Sequence, residues 1–187
     1  MGTYDDSSGY RVPIGTYEDA VAMVGRRTDV RFGQVAVNEA MIRHYCAMIE
    51  DGNPGYWDEE FARAQWGAVI SPPGLLTTWV MPPVWAPGAP EPEPMLPAQI
   101  PLPGDSFINV ENDTAFMLPV RVGDRLNAVE ELVDVSNEKR TRLGRGHFIT
   151  TEATYRRQDG AVVAVSRNVL FRFTREAAGG GPPEPGE

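Results

Sequence analysis

Apolar and polar positions change period partway along the chain, dividing it into a helical first part and a stranded second part. Met41, Ile42, Tyr45, Met48 and Ile49 recur at the three- and four-residue spacing of one buried helix face. Asn38 before them is a good N-cap, and Glu39 suits the positive end of a helix. Thr16, followed by Tyr17-Glu18-Asp19-Ala20, predicts a shorter helix opened in the same way. The first stripe ends in Asp51-Gly52-Asn53-Pro54-Gly55, a dense turn signal. Asp58 then caps a predicted helix over 59–65, stopped near Gly67. Ala68-Val69-Ile70 leads into Ser71-Pro72-Pro73-Gly74-Leu75-Leu76-Thr77-Thr78-Trp79-Val80-Met81. Prolines at the first turn and the apolar run after them predict a buried third helix.

From 82 to 104 the prolines at 82, 83, 87, 90, 92, 94, 97, 101 and 103 exclude regular structure. Trp85, Met95, Leu96, Ile100 and Leu102 are apolar residues that a free linker does not need, so this segment is expected to pack across the domain surface. Strands follow over 107–110, 115–118, 126–135, 146–156 and 161–173. In the fourth, Ile149, Ala153 and Tyr155 share a face, and Gln158-Asp159-Gly160 makes a hairpin turn into the fifth. Val163, Val165, Val169, Phe171 and Phe173 share a face of the last. Helices first and antiparallel strands after them make an α+β protein. One domain is expected over 1–176, with residues 1–16 peripheral and 177–187 a flexible Gly/Pro-rich tail or linker.

Composition narrows the function. The net charge of −9 disfavours nucleic acid as a partner. No run of about 18 apolar residues exists, so no membrane-spanning helix is expected. The acidic, polar start Met1-Gly2-Thr3-Tyr4-Asp5-Asp6 is unlike a secretory leader, and a cytoplasmic location is expected. Cys46 is the only cysteine, which excludes an internal disulfide and a cysteine-based zinc site. It reads as a small buried hydrophobe rather than a nucleophile. His44 reads as a surface residue of the same helix. The run Lys139-Arg140-Thr141-Arg142-Leu143-Gly144-Arg145 fits either an anion contact or a solvated turn between two strands.

The informative segment is Asp51-Gly52-Asn53-Pro54-Gly55-Tyr56-Trp57-Asp58, followed by Ala62, Gly67 and Ser71-Pro72-Pro73-Gly74. It resembles the MaoC-like, or hydratase-2, family, whose signature is Asp-x-Asn-Pro-(aliphatic)-His. The wider pattern, through "SPPGLL" to "VGDRL" and "LGRGHFITTEATYRRQDG", resembles the FAS1-like dehydratase branch over about residues 30–173. The resemblance implies a hot dog fold, an antiparallel sheet wrapped around one long central helix, here the stretch starting near Pro72. It also implies addition of water to a trans-2-enoyl thioester, or the reverse, with no cofactor beyond the CoA thioester substrate and no metal. That chemistry needs a carboxylate and an imidazole holding one water. It also needs backbone N–H donors at a helix start for the developing enolate oxygen.

Carried over residue by residue, Asp51 matches the catalytic aspartate and Asn53-Pro54 the Asn-Pro, and Gly74, near the start of the expected buried helix, is the best candidate for an oxyanion N–H. Pro72, Pro73, Trp79 and Trp85 are the candidate substrate-binding residues beside it. The histidine position holds Tyr56, whose ordinary pKa near 10 makes it a poor base at neutral pH. His147, at the start of a predicted strand, is the remaining candidate base. In this family two hot dog units share one cleft, and one can carry the acid and base while the other shapes the acyl pocket. The larger subunits of heteromeric hydratases acting on CoA-linked steroid side chains are similar. Three readings follow: a degenerate half of a heteromer shaping a pocket for a bulky acyl group, a self-sufficient homodimer using Asp51 with Tyr56 or His147, and a non-catalytic acyl-CoA binding or assembly module.

Overall fold

In the computed structural model, which describes residues 12–83, 85–88 and 93–175, Thr16 opens α1 (Tyr17–Val21) with a full capping box. Its hydroxyl accepts from the Asp19 N–H, and the Asp19 carboxylate accepts from the Thr16 N–H in return. Asn38 caps α2 (Glu39–Met48) through the Met41 N–H, as predicted. Asn53 caps α3 (Pro54–Trp57), a single turn inside the stretch read as a loop. Asp58 caps α4 (Glu59–Trp66), and Gly67, left-handed at φ 83°, ends it.

α2 buries Ile42 and Cys46, with Met41 and Tyr45 half-covered, while Met48 and Ile49 are exposed. The apolar stripe outruns the contact because the chain leaves the helix at Glu50, left-handed at φ 57°. The Asp51 N–H then closes on the Cys46 carbonyl at 2.9 Å. His44 is exposed, as expected.

The expected long central helix is absent from its place. Residues 73–79 form two 3₁₀ turns, Pro73–Leu75 and Thr77–Trp79. Pro72 and Pro73 remove two N–H donors at the start, Pro82 and Pro83 close the far end, and Thr77, Thr78 and Val80 are β-branched. The segment is nonetheless core: Leu75, Leu76, Trp79 and Val80 are buried, and the Trp79 indole N–H donates to the Ser71 hydroxyl at 2.8 Å.

Six strands build one antiparallel sheet: β1 (Arg31–Phe32), β2 (Ser106–Phe116), β3 (Leu126–Val135), β4 (Lys139–Thr141), β5 (Gly144–Arg157) and β6 (Val162–Arg175). The order is β1-β3-β5-β6-β2, with β4 paired to the start of β5, so the basic run 139–145 is a hairpin. The two short strands predicted over 107–118 are one, β2, carrying a bulge at Val110. The helical half covers a single face of this sheet. On that inner face Leu126, Ala128, Tyr155 and Ala164 join α2, α3, α4 and the 3₁₀ turns in one core cluster. Leu132, Val135 and Ile149 join Ala20, Leu96, Ile100 and Leu102 in a second. Within the proline-rich segment Leu96, Ile100 and Leu102 pack against the sheet through a 3₁₀ turn, Leu96–Gln99, whereas Trp85 and Met95, expected to pack with them, are exposed. Residues 84, 89–92, 1–11 and 176–187 lie outside the description, and with them the expectations for Pro90, Pro92 and the tail.

Register also decides which face of β6 is inner. Ile149 lies opposite Leu170, and His147 opposite Arg172, so the inner set is Ala164, Ser166, Asn168, Leu170 and Arg172. The Val165–Phe173 set lies on the other face. Among the described residues no helix is long and apolar enough to cross a membrane.

Candidate active site

A cavity of ≈ 320 Å³ opens where α3, the 3₁₀ turns and the end of β2 converge. Tyr56, Trp66, Ile70, Ser71, Pro72, Pro73 and Leu76 line it together with Phe116 to Val120. The volume falls at the low end of small-molecule sites, and the lining is apolar with few polar groups, as such sites require.

Each wall has a local cause. On β6, Val163 is an extra residue between the pairs Tyr155–Ala164 and Arg156–Val162. Its carbonyl accepts from the Met117 N–H at 2.9 Å and the Leu118 N–H at 3.3 Å, which bends the chain after β2 over the cavity. The Ser71 N–H donates to the Val120 carbonyl at 2.7 Å and holds the start of the proline segment against that bend.

The motif residues divide into those on the wall and those behind it. Tyr56, 5% exposed, and Pro72 and Pro73 line the cavity. Asp51 does not: its carboxylate accepts from the Asn53 N–H at 3.0 Å, and its carbonyl accepts from the Trp57 indole at 2.7 Å. Asn53 in turn uses its side-chain oxygen to cap α3. Asp51 and Asn53 thus build the turn that delivers Tyr56. Gly74 sits at the start of the first 3₁₀ turn, whose own bonding begins with the Leu75 N–H on the Pro72 carbonyl, leaving the Gly74 N–H outside it. A Cβ at Gly74 would lie 1.9 Å from the Tyr45 hydroxyl, so any larger residue there must displace that ring. Trp79 is core, 1% exposed, and Trp85 is 78% exposed; neither lines the cavity, nor does any described residue of 82–104.

Burial raises the Tyr56 phenol above its ordinary value, helped by the negative charge of Asp51. The same group is drawn partly back by a hydrogen bond with the Asn53 side chain. A phenol held neutral in this way donates a hydrogen bond but removes no proton at neutral pH. His147 does not replace it within the chain. Its strand position is eight residues from Tyr155, which aligns with Ala164 and cavity-lining Phe116; at the antiparallel rise that is about 27 Å. The His147 ring is instead buried, stacked on Tyr17 at 5.2 Å, with Nδ1 2.9 Å from the Ser136 carbonyl.

Reasoning from sequence missed the second wall. Phe116-Met117-Leu118-Pro119-Val120 is an apolar run continuing past a strand end into a proline, and that excess was the available signal.

Comparison with known proteins agrees with this architecture. A probable enoyl-CoA hydratase alpha subunit from Thermomonospora curvata is 40% identical over 159 residues, 81% of this chain. The match covers 50% of that relative, so the chain spans about half its length. The crystal structure of the ChsH1-ChsH2 complex from Mycobacterium tuberculosis superposes with a TM-score of 0.70 at 23% identity, covering 89% of this chain and 96% of that one. A MaoC-like dehydratase from Rhodospirillum rubrum gives 0.57 at 19% identity, covering 87% and 99%. These likenesses identify the sheet and its helical cover as a hot dog fold. The sequence matches the FAS1-like, dehydratase domain region over residues 22–166. With its Asp-x-Asn-Pro turn delivering a wall residue of the cavity, this chain belongs to the FAS1-like dehydratase family.

Proposed function

We propose that this chain is the non-catalytic half of a heteromeric (R)-specific 2-enoyl-CoA hydratase, a lyase, and that it shapes the acyl pocket. The observation that carries the reading is Tyr56: it occupies the motif's histidine position on the cavity wall, as a buried phenol whose proton is held above its ordinary pKa. The Asp51 carboxylate accepts the Asn53 N–H in the turn and is not on the cavity wall. A base misplaced by several pKa units costs several kcal/mol of barrier, at about 1.36 kcal/mol per unit. The chain then needs a second hot dog unit to supply the acid and base.

The sheet supports a partner. β2 is an outer strand of eleven residues with one long edge unpaired among the described residues, and such edges need covering. The matched relative's description as an alpha subunit and the two-protein complex among the similar structures support the same reading. A bulky acyl group, polycyclic or branched, fits best. Two short 3₁₀ turns in place of a long helix leave the inner side of β2 uncovered, with Phe116 46% exposed.

The test is turnover by the purified chain and by the chain co-expressed with a hot dog subunit carrying an intact Asp/His pair. The chain alone should hydrate 2-enoyl-CoA at background, and Asp51→Asn should change nothing. The mixed complex should favour a steroid-type enoyl-CoA over crotonyl- and octenoyl-CoA in kcat/KM. Steady turnover by the chain alone that vanishes in Asp51→Asn would instead establish a self-sufficient homodimer.

A further inference from the structure

The inner face of the sheet carries a polar row where core residues are expected. Thr151 on β5 lies opposite Asn168 on β6, and Asn168 opposite Asn112 on β2. One step along, Ser166 lies opposite Thr114. The bulge at Val110 sets this phase, placing Asn112, Thr114 and Phe116 together on the inner side of β2. The row separates the two core clusters: Ala128, Tyr155 and Ala164 lie to one side, Val135 and Ile149 to the other.

Its two ends differ. Toward β3 it is closed: the Thr151 hydroxyl, 1% exposed, donates to Glu130 at 2.8 Å, and Arg31 lies 3.6 Å from the other Glu130 oxygen. Toward β2 it is open. The hydroxyls of Thr114 and Ser166 lie 2.8 Å apart, and both reach the Asn112 side-chain oxygen at 3.3 and 3.4 Å. Ser166 is 6% exposed, whereas Asn112 faces solvent. The Asn168 side-chain oxygen is buried and has no hydrogen-bond partner among the described residues. A buried acceptor left without a donor is costly, so a missing donor is expected beside it.

This open end adjoins the cavity. Thr114 and cavity-lining Phe116 are two positions apart on the same face, about 7 Å along the strand. A rigid ligand filling the cavity and extending over Phe116 meets the hydroxyl pair next. We propose that Asn112, Thr114, Ser166 and Asn168 form a hydrogen-bonding subsite for an oxygen substituent, a hydroxyl above all, on the polycyclic acyl group that occupies the cavity. This rests on the acyl-pocket reading and adds to it: the acyl group is oxygenated at its far end and not a plain hydrocarbon. A ring hydroxyl supplies the donor that Asn168 lacks and accepts from the Thr114–Ser166 pair. A partner chain pairing with β2 would use the strand edge and leave these inward side chains to the ligand.

The experiment is isothermal titration of the chain, co-expressed with a hot dog subunit carrying an intact Asp/His pair, with the CoA thioesters of lithocholic acid and of 5β-cholanic acid, which differ by one ring hydroxyl. The hydroxylated thioester should bind about tenfold tighter, the size of one neutral hydrogen bond. Thr114→Val or Ser166→Ala should erase that preference while leaving 5β-cholanyl-CoA binding unchanged, and Thr114→Ser should keep it. Equal affinity for the two thioesters overturns the subsite and leaves the pocket reading standing. Binding of neither overturns both. Should Thr114→Val leave the preference intact but disperse the co-expressed complex in native mass spectra, the row is a subunit contact and the subsite is refuted.

Discussion

At the scale of single residues, the site is shaped by positions whose side chains are constrained from two directions. Gly74 is the sharpest case, because the space above its Cα is filled by the Tyr45 ring from α2, with Cζ 2.7 Å from an added Cβ. Gly74→Ala should destabilise the fold by about 1–3 kcal/mol, the usual cost of overpacking. The cost should fall sharply in a Tyr45→Ala background, since the two residues share one volume and their effects cannot add. Urea denaturation of the four proteins in this cycle gives the coupling. An equal cost in both backgrounds would show that the strain lies in the 3₁₀ backbone. Tyr56 shows the same constraint electrically: burial and Asp51 push its phenol up, and Asn53 pulls it partly down.

Among elements, the segment of 95–104 is tied to the sheet by one buried charge. Arg172 on β6 is 1% exposed, and its guanidinium donates to the carbonyls of Gly104 at 2.7 Å, Pro13 at 2.9 Å, and Ile100 and Leu102 at 3.3 Å. Desolvation lowers its pKa, with nearby Asp105 opposing that. Backbone dipoles stand in for a paired carboxylate. Arg172→Met would strand those carbonyls in the core and should cost about 3–5 kcal/mol, in the range for breaking a buried charged contact. Arg172→Lys should recover little, because an ammonium lacks the planar fork that reaches carbonyls from two chain segments. Thermal unfolding compares the three proteins. Hydrogen exchange should show protection lost first over 95–104.

For the whole molecule, buried neutral acids define an alkaline limit. Burial raises the Cys46 thiol and the phenols of Tyr56 and Tyr155 above ordinary values of 9.0, 10.0 and 10.0. Below those values both folded and unfolded chains keep these protons, and stability is unaffected. As pH rises past them the unfolded chain ionises first, while the folded chain holds its protons. Stability is then lost progressively as pH climbs through the raised folded values. Unfolding midpoints measured between about pH 8 and about pH 11 should fall toward the alkaline end. The fall should be shallower in Tyr56→Phe and Tyr155→Phe.

What the sequence determined by itself was local. The caps at Thr16, Asn38 and Asp58 and strand β3 are legible because each depends on residues a few positions apart. The Asp-x-Asn-Pro turn could be read for the same reason, since its hydrogen bonds join residues two positions apart. Tertiary structure decided the rest, because it depends on pairings across many residues. The 73–79 segment has helix-like apolar content, yet flanking prolines and β-branched residues leave two 3₁₀ turns with few backbone bonds of their own, packed into the core. Which side of β6 meets the core was hidden, since Phe171 and Phe173 on one face and Leu170 and Arg172 on the other are all buried. The cavity wall over 116–120 depends on the Val163 carbonyl, and the phase of the polar row on one bulge at Val110. A bulge leaves no trace in the alternation of residues until the partner strand is known, because only the pairing shows which residue is the extra one.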